Sequence, residues 1–594
     1  MINGGDSDKP MAADSPREAV LEAERRGELL MAFDLAERAL AEHPDDLWLK
    51  HRAVLALARA GSTGEAARHF AEYGLGGVED EDVAALEARI AKDQAIAAGG
   101  GFARAAHLYE AIFRRTGGYY PAVNAATLCM LDGQAERAAA LAREARTALR
   151  QSGDDMYYAA ATDVEVALIL GERELAEETL MLARELNAGD YSALATTRRQ
   201  LRLLIAATGD PEELLDPLSG PGVLHYCGHR IGGARFPFED EAHVAAGIAE
   251  ELERLSPGFG YGALAHGADI LCAEELVRRG AELHVVLPFA RDEFVRGSVA
   301  DGGEAWIARF YECMAAAKSV TYATDDAFFG EDVLFRYGSE LAMGMALQRA
   351  GWLEAPATQL AVWDGLPPDR AAGTAVDVAT WAATGRPATY LRPPSGQRPP
   401  AGEASARGPD EQRVVRSLLF ADIRGFSKLT DEQLPRFNNV VMSALGEVLR
   451  EYRDEVDYRN TWGDALYVVM QHPEAAAACA ISLQAKLKSI DLEPHGLPGH
   501  LALRLGAHIG PVFPTRDRVI GGEAFMGSHV SRTARIEPVT PPGTVYVTDA
   551  FAAALALRQS RYRYDYVGHM PAAKGYGRLR MYSLRAPAST PATD

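Results

Sequence analysis

Three patterns of apolar and polar positions follow one another along the chain. From residue 15 to about 210 the sequence reads almost wholly as helix, rich in Ala, Leu, Glu and Arg. A glycine followed five positions later by a small or apolar residue recurs there, at Gly27/Ala32, Gly61/Ala66, Gly101/Ala106, Gly133/Ala138, Gly171/Ala176 and, more weakly, Gly209/Leu214. The intervals of 34, 40, 32, 38 and 38 residues suit paired helices, with glycine in the turn and alanine letting the helices approach closely. From about 221, short apolar runs alternate with helices. Strands are predicted at 222–227, 259–264, 283–289, 319–324, 359–365 and 387–391, with helices at 239–255, 267–279, 336–350 and 374–384. That alternation predicts a doubly wound parallel sheet, which binds ligands at the carboxyl ends of its strands. After residue 412 the order is strand (415–421), long helix (432–453), hairpin (456–470), helix (473–489), strand (501–509), helix (527–536) and strand (543–548), an α+β palm. Residues 392–412, rich in Pro, Gly, Ser and Ala without periodicity, read as an exposed linker.

Composition narrows the function. At 594 residues the chain is too long for one core. A formal net charge of −22 excludes a general nucleic-acid binder, which needs a basic footprint. Cys129, Cys227, Cys272, Cys313 and Cys479 show no metal-like spacing and read as reduced, buried thiols of a cytosolic protein. No apolar run reaches the ~18 residues of a membrane span, and the first residues show no signal pattern. The expectation is a cytoplasmic protein with no membrane or nucleic-acid partner.

Candidate chemistry gathers in the last region. In "LLFADIRGFSKL" (418–429) an apolar strand ends on Asp422, and in "NTWGDALYV" Asp464 follows Gly463 in a turn at the hairpin tip. A palm sets these carboxylates side by side, where they repel unless a cation lies between them, and hard oxygen ligands suit Mg²⁺ or Mn²⁺. The N–H groups of Ile423, Arg424, Gly425 and Phe426 can form a nest for phosphate oxygens. In the middle region a strand enters a glycine-bearing turn, and Gly267-Ala268-Asp269 opens a helix whose N–H groups can hold a phosphate. The bland alternative is a tight turn with Asp269 as helix cap. His229, Arg230 and Glu340 are further polar candidates near strand ends.

The blocks "FADIRGFSKL", "NTWGDALYVV", "LRLGAHIGPVF", "IGGEAFMGSHVSRTARI", "PPGTVYVT" and "AAKGYGRLRMYSL" resemble, in order and spacing, a class III adenylate/guanylate cyclase catalytic domain. The helical region resembles tetratricopeptide repeats. The segment "GYGALAHGADILCAEELVRRGAELHVVLPF" resembles the Rossmann-like SLOG superfamily. The implied fold is multidomain: an all-α helical-repeat solenoid (15–215), an α/β doubly wound Rossmann-like domain (221–391), the linker (392–412) and an α+β ferredoxin-like cyclase palm (413–585).

The cyclase resemblance implies a homodimer with active sites at the interface. Asp422, Asp464 and the Ile423 backbone would hold two divalent ions per site. Arg535 in "SRTAR" matches the arginine that meets charge developing on the α-phosphate, and Lys574 in "AAKGYG" the lysine on the terminal phosphates. His508 fits the "H-x-G" block as a structural, hydrogen-bonded histidine. Three positions depart from the family: Asn460 and Ala524 stand at the base-reading positions, and Ser531 stands where the ribose-orienting asparagine is usual. The expected activity is conversion of an NTP, ATP by default, to a 3′,5′-cyclic NMP and pyrophosphate. A nucleotide-derived ligand would bind the middle domain at Gly262, Gly267, Ala268 and Asp269, and a protein partner the repeats. The rival readings are a cyclase-fold scaffold with weakened turnover, a cyclase using GTP or a pyrimidine nucleotide, and a middle domain that itself processes nucleotides.

Overall fold

The structure, a computed structural model, describes residues 15–154, 156–368, 370–397, 412–519 and 521–587. Most of the expected linker, residues 398–411, lies outside the described residues. The chain divides into two compact units: one holds the helical region up to Gly220 with Gly351–Ala355, the other Pro221–Ala350 with Pro356–Ala586.

The helical unit runs through α1 (Pro16–Arg25), α2 (Leu29–Glu42), α3 (Leu47–Arg59), α4 (Thr63–Glu72), α5 (Glu81–Ala98), α6 (Ala103–Thr116), α7 (Tyr119–Leu131), α8 (Ala135–Ser152), α9 (Tyr157–Leu170), α10 (Arg173–Leu186) and α11 (Tyr191–Thr208). The six repeat glycines all take positive φ, between 69° at Gly27 and 80° at Gly61 and Gly101, a conformation that penalises any Cβ. Ala32, Ala66, Ala106, Ala138 and Ala176 are buried where consecutive helices meet. A buried polar chain ties α5, α9 and α11: Lys92 donates to Gln200 (2.9 Å), which donates to Glu165 (3.1 Å). Burial pushes the Lys92 ammonium down to about 8 and the Glu165 carboxyl up.

In the second unit, β1 (Gly222–Gly228), β2 (Pro257–Gly262), β3 (Glu282–Leu287), β4 (Ser319–Tyr322), β5 (Ala357–Val362) and β6 (Ala388–Leu391) form a parallel sheet in the order β4-β3-β2-β1-β5-β6. The intervening helices are α12 (Glu241–Leu255), α13 (Ala268–Arg278), α14 (Arg291–Ser298), α15 (Glu304–Ala316), α16 (Asp332–Leu353) and α17 (Thr374–Ala382). Strand order reverses between β1 and β5, opening a crevice at their carboxyl ends. Two helices were not expected. α14 buries only Phe294 and Ser298, too little for a legible stripe. α15 does carry one, Trp306, Phe310 and Cys313 at i, i+4 and i+7.

The C-terminal sheet comprises β7 (Val414–Arg424), β8 (Val456–Trp462), β9 (Ala465–Met470), β10 (Ala502–Arg516), β11 (Glu523–Met526), β12 (Val545–Thr548), β13 (Arg563–Pro571) and β14 (Arg578–Arg585). Its order is β13-β14-β12-β10-β7-β9-β8, with β11 paired to β10. The helices are α18 (Gln433–Phe437) and α19 (Ser443–Glu451), joined by a π turn at Asn438–Met442, then α20 (Pro473–Ser489), α21 (Ser528–Thr533) and α22 (Asp549–Leu557). The long helix expected at 432–453 thus runs from Gln433 to Glu451 with a π turn inside it, and α21 is shorter than the expected 527–536.

The largest correction concerns β7. Asp422 does not end the strand. Pairing with β9 stops at Ala421↔Leu466, while pairing with β10 continues through Asp422↔Arg504 to Arg424↔Ala502. Asp422 therefore projects where one neighbouring strand has turned away.

Gly506 and Gly510 on β10 admit the segment that crosses them. A Cβ at Gly506 would lie 2.8 Å from the Glu537 nitrogen, and one at Gly510 would lie 2.1 Å from a ring nitrogen of His529. Gly510→Ala is expected to overpack this contact at a cost of about 1–3 kcal/mol. Calorimetry of the full-length protein should show a fall of several degrees in the transition of the C-terminal domain, and an unchanged thermogram would refute the packing argument.

Candidate active site

The β8–β9 hairpin closes Trp462 against Ala465 through Gly463 and Asp464, with Gly463 at φ 67°. The Asp464 carboxylate accepts the Ile423 N–H at 3.3 Å, so the tip is pinned onto β7 beside Asp422. This removes Ile423 from the expected N–H nest, because its donor is already used. Gly425 does take a left-handed φ of 97° and lets the chain turn sharply after Arg424.

The two carboxylates raise each other's cost. Burial, reinforced by the Asp422 charge, pushes the Asp464 carboxyl up to about 6. Two groups that the sequence reading passed over complete the cluster. Arg504, on the adjacent strand, hydrogen-bonds Asp422 and lies 3.0 Å from the Glu537 carboxylate. Burial, offset by Arg504 and reinforced by Asp422 and Asp464, lifts the Glu537 carboxyl to about 7. The available signal was a lone arginine inside the apolar strand "LRLGAHIG".

Among the described residues no group of three or more His, Cys, Asp and Glu side chains is arranged to hold a metal. The hard oxygens brought together here are those of Asp422 and Asp464. Arg504 offsets only part of the repulsion within that pair, and two adjacent carboxylates fit a divalent cation such as Mg²⁺ or Mn²⁺.

A second group assembles around α21. Ser531 is exposed on the helix and Arg535, just beyond it, is half-buried. The Arg535 carbonyl accepts the Ala573 N–H at 3.1 Å, which brings the exposed Lys574 turn beside it. Lys574 itself is in the left-handed region, φ 58°. Asn460 sits on β8 with its side-chain oxygen accepting the Thr461 N–H at 2.8 Å, and Ala524 lies on β11 opposite Thr515. β8 and β11 approach through Tyr458 and Phe525, whose rings are 6.2 Å apart. His508 is buried on β10, hydrogen-bonded to Thr548 (2.7 Å) and His529 (2.7 Å).

The crevice of the parallel sheet is a cleft of about 820 Å³ lined by His229, Arg230, Gly262, Asp269 and Asp377 among others. Gly267 and Ala268 do not line it. The Ala268 N–H donates to the His229 carbonyl at 3.2 Å, and a Cβ on Gly267 would lie 2.5 Å from the Ile231 nitrogen. This turn is closed by backbone packing and is not an open phosphate cradle. Asp269 does not cap its helix; its carboxylate accepts the Ala265 N–H at 3.1 Å. Glu340 lies within α16, does not line the cleft, and pairs with Arg336 at 2.8 Å.

Asp377 on α17 was not anticipated. Its carboxyl accepts from Ser339 (3.2 Å). Burial pushes both Asp269 and Asp377 up to about 7, so at neutral pH the cleft presents two carboxyls that donate as well as accept. The missed signal was Gly373-Thr374 before a helix with Asp377 three residues on.

The described residues contain no helix long and apolar enough to cross a membrane, and the five cysteines are free and buried.

Residues 28–129 match the family model described as Tetratricopeptide Repeats-Sensor, and residues 411–586 match that of the Adenylate and Guanylate cyclase catalytic domain. No curated protein matches. Similar solved structures include the adenylyl cyclase CyaB from P. aeruginosa (18% identity, 30% of this chain and 95% of that one, TM-score 0.27). Two others are the guanylate cyclase domain of RhGC from Catenaria anguillulae in complex with GTP (18%, 29% and 97%, 0.26) and an adenylate cyclase from Trypanosoma brucei in its monomeric state (20%, 31% and 93%, 0.26).

The raised Asp464 pKa has a measurable consequence, because a proton there competes with a cation. Mn²⁺ affinity of the full-length protein, read by the resonance of free Mn²⁺, is expected to rise about tenfold from pH 5 to pH 7 and then level off. Asp464→Asn should bind weakly with a flattened profile; an unaltered profile would remove Asp464 from the site.

Proposed function

We propose that the cyclase catalytic domain at residues 411–586 converts a nucleoside triphosphate, ATP by default, to a 3′,5′-cyclic nucleotide at the interface of two copies of the chain. The observation that carries this reading is the pinned pair Asp422–Asp464 beside Arg504. In the reaction the ribose 3′-oxygen bonds to the α-phosphorus, the bond from that phosphorus to the bridging oxygen breaks, and pyrophosphate leaves with the electron pair. The hydroxyl proton passes to solvent.

Asp422, Asp464 and the Ile423 carbonyl would hold Mg²⁺ or Mn²⁺, two per site, supplying charge that acidifies the 3′-hydroxyl and neutralises phosphate oxygens. Arg504 balances the charge of Asp422 and Glu537 beside the cation ligands. The partner's copy of Arg535 meets charge developing at the α-phosphate, and that of Lys574 binds the terminal phosphates. Ser531, shorter than asparagine, orients the ribose. The exposed Trp462 on the hairpin and Met526 on β11, each 57% exposed, offer apolar surface for the second copy. Regulation falls to the other regions: a nucleotide-derived ligand in the central cleft and a protein on the helical repeats.

Asp422→Ala and Asp464→Ala are each expected to lower kcat at least ~10²-fold by removing a cation ligand. Mixing inactive Asp464→Ala with inactive Arg535→Ala should restore activity, since one site of the mixed dimer is whole. Near wild-type turnover in the single variants, or a dead mixture after verified subunit exchange, would overturn the assignment.

Base selection should be weak. Ala524 offers no polar side chain and Asn460 no charge, so ATP and GTP are expected to differ by less than about 10² in kcat/KM. Asn460→Lys with Ala524→Asp should sharpen ATP preference. A wild-type enzyme already selecting one base beyond that margin would show that another residue reads it.

A further inference from the structure

Residues 323–331, between β4 and α16, touch the central cleft on one side and the cyclase domain on the other. Phe328 and Gly330 line the cleft. The Phe328 ring stacks on Phe289 at 4.4 Å and meets Phe335 edge-on at 5.3 Å, while its N–H donates to Glu293 at 2.9 Å. Four residues earlier, the buried Thr324 hydroxyl lies 3.0 Å from His529 Nε2 on α21. Asp325 pairs with Arg532 of the same helix at 3.1 Å. Arg413, at the entrance to β7, bonds the Glu331 carboxylate (2.7 Å) and the Ala327 carbonyl (3.2 Å).

The Thr324 contact is the end of a longer chain. His529 Nδ1 faces His508 Nε2 at 2.7 Å, and His508 Nδ1 faces Thr548 at 2.7 Å. Burial holds both imidazoles well below their ordinary pKa, so both are neutral. Each ring then has one N–H, and the four side chains hydrogen-bond in one direction from end to end. Nothing in this chain is exposed to water. Moving Thr324 without α21 would leave His529 Nε2 buried and unpaired, which is costly. The helix must therefore follow the segment.

We propose that residues 323–331 position α21, and with it Ser531 and Arg535, and transmit occupation of the central cleft to that helix. Thr324 and Asp325 are positioning residues. They reach the chemistry only through His529 and Arg532, and the proposal rests on the cyclase reading of Arg535. A ligand that shifts Phe328 acts on Thr324 through a four-residue link pinned at both ends, so differential contact at the cleft becomes a displacement of α21.

The test uses full-length protein and no ligand. Gly297 on α14 lines the cleft, and a Cβ there would lie 3.6 Å from the Phe328 ring, so Gly297→Leu fills the space a ligand would take beside Phe328. Thr324→Val is expected to lower kcat about 3- to 30-fold with KM within about twofold, and Thr324→Ser to recover most of it. Amide exchange over 527–536 should quicken about tenfold or more in Thr324→Val, with 473–489 unchanged. Gly297→Leu should alter kcat at least about threefold in the wild-type background and leave it unchanged in the Thr324→Val background. Unchanged exchange over 527–536 overturns the positioning role, and additive effects of the two substitutions overturn the transmission. A wild-type protein without cyclase turnover would overturn the reading of the active site instead, and the exchange of 527–536 in Thr324→Val and Gly297→Leu would still decide this one.

Discussion

The pairing of β7 with β10 is the constraint on which the rest of the C-terminal domain depends. Its register places Asp422 opposite Arg504 at the level where β9 has already turned away. A shift by one residue would send Asp422 to the other face of the sheet and Ile423 outward. With the register held, the hairpin turn can pin Asp464 to the Ile423 N–H, and two carboxylates come together that would otherwise separate. The glycines of β10 serve the same arrangement from the other direction. Gly506 and Gly510 remove the side chains that would keep Ile536, Glu537 and His529 from the strand.

The same logic of close approach recurs in the other regions by different means. In the helical unit, left-handed glycines turn the chain and alanines seat one helix on the next, so a short repeated pattern stacks successive helices. In the parallel sheet, the order of strands opens a crevice between β1 and β5, and burial raises the carboxyl pKa of Asp269 and Asp377 there. The crevice and the palm share one compact unit. Tyr337 of α16 donates to the Ile509 carbonyl at 2.9 Å, and Arg413 is clamped by Glu331. The crevice and the palm are thus joined by buried polar contacts, whose geometry is stricter than that of apolar packing.

Much of this was legible in the chain because it is local. A glycine every 32 to 40 residues fixes where helices turn, since only glycine enters the left-handed region freely. Alternating apolar runs and helices fix a parallel sheet, since adjacent parallel strands need a crossover. Asp422 and Asp464, Ser531, Arg535 and Lys574 stand in ordered blocks, so each could be singled out as a candidate from the chain alone. What lay beyond the sequence depends on partners distant in the chain. The apolar run ends at Asp422 and predicts the end of a strand there, yet β10 carries the pairing onward. Arg504 stands out in the chain only as a lone arginine in an apolar strand and Glu537 carries no signal of its own; only the sheet brings both to Asp422. Gly267 read as a phosphate turn, but the chain after β1 folds over it and takes the Ala268 N–H. The Thr324–His529–His508–Thr548 chain joins side chains up to 224 residues apart in number. The sequence by itself determined most of the elements and the residue types of the candidate chemistry, through periodicity and backbone preference. Only the tertiary structure decided which charges meet, because register and burial are properties of neighbours that no local pattern encodes.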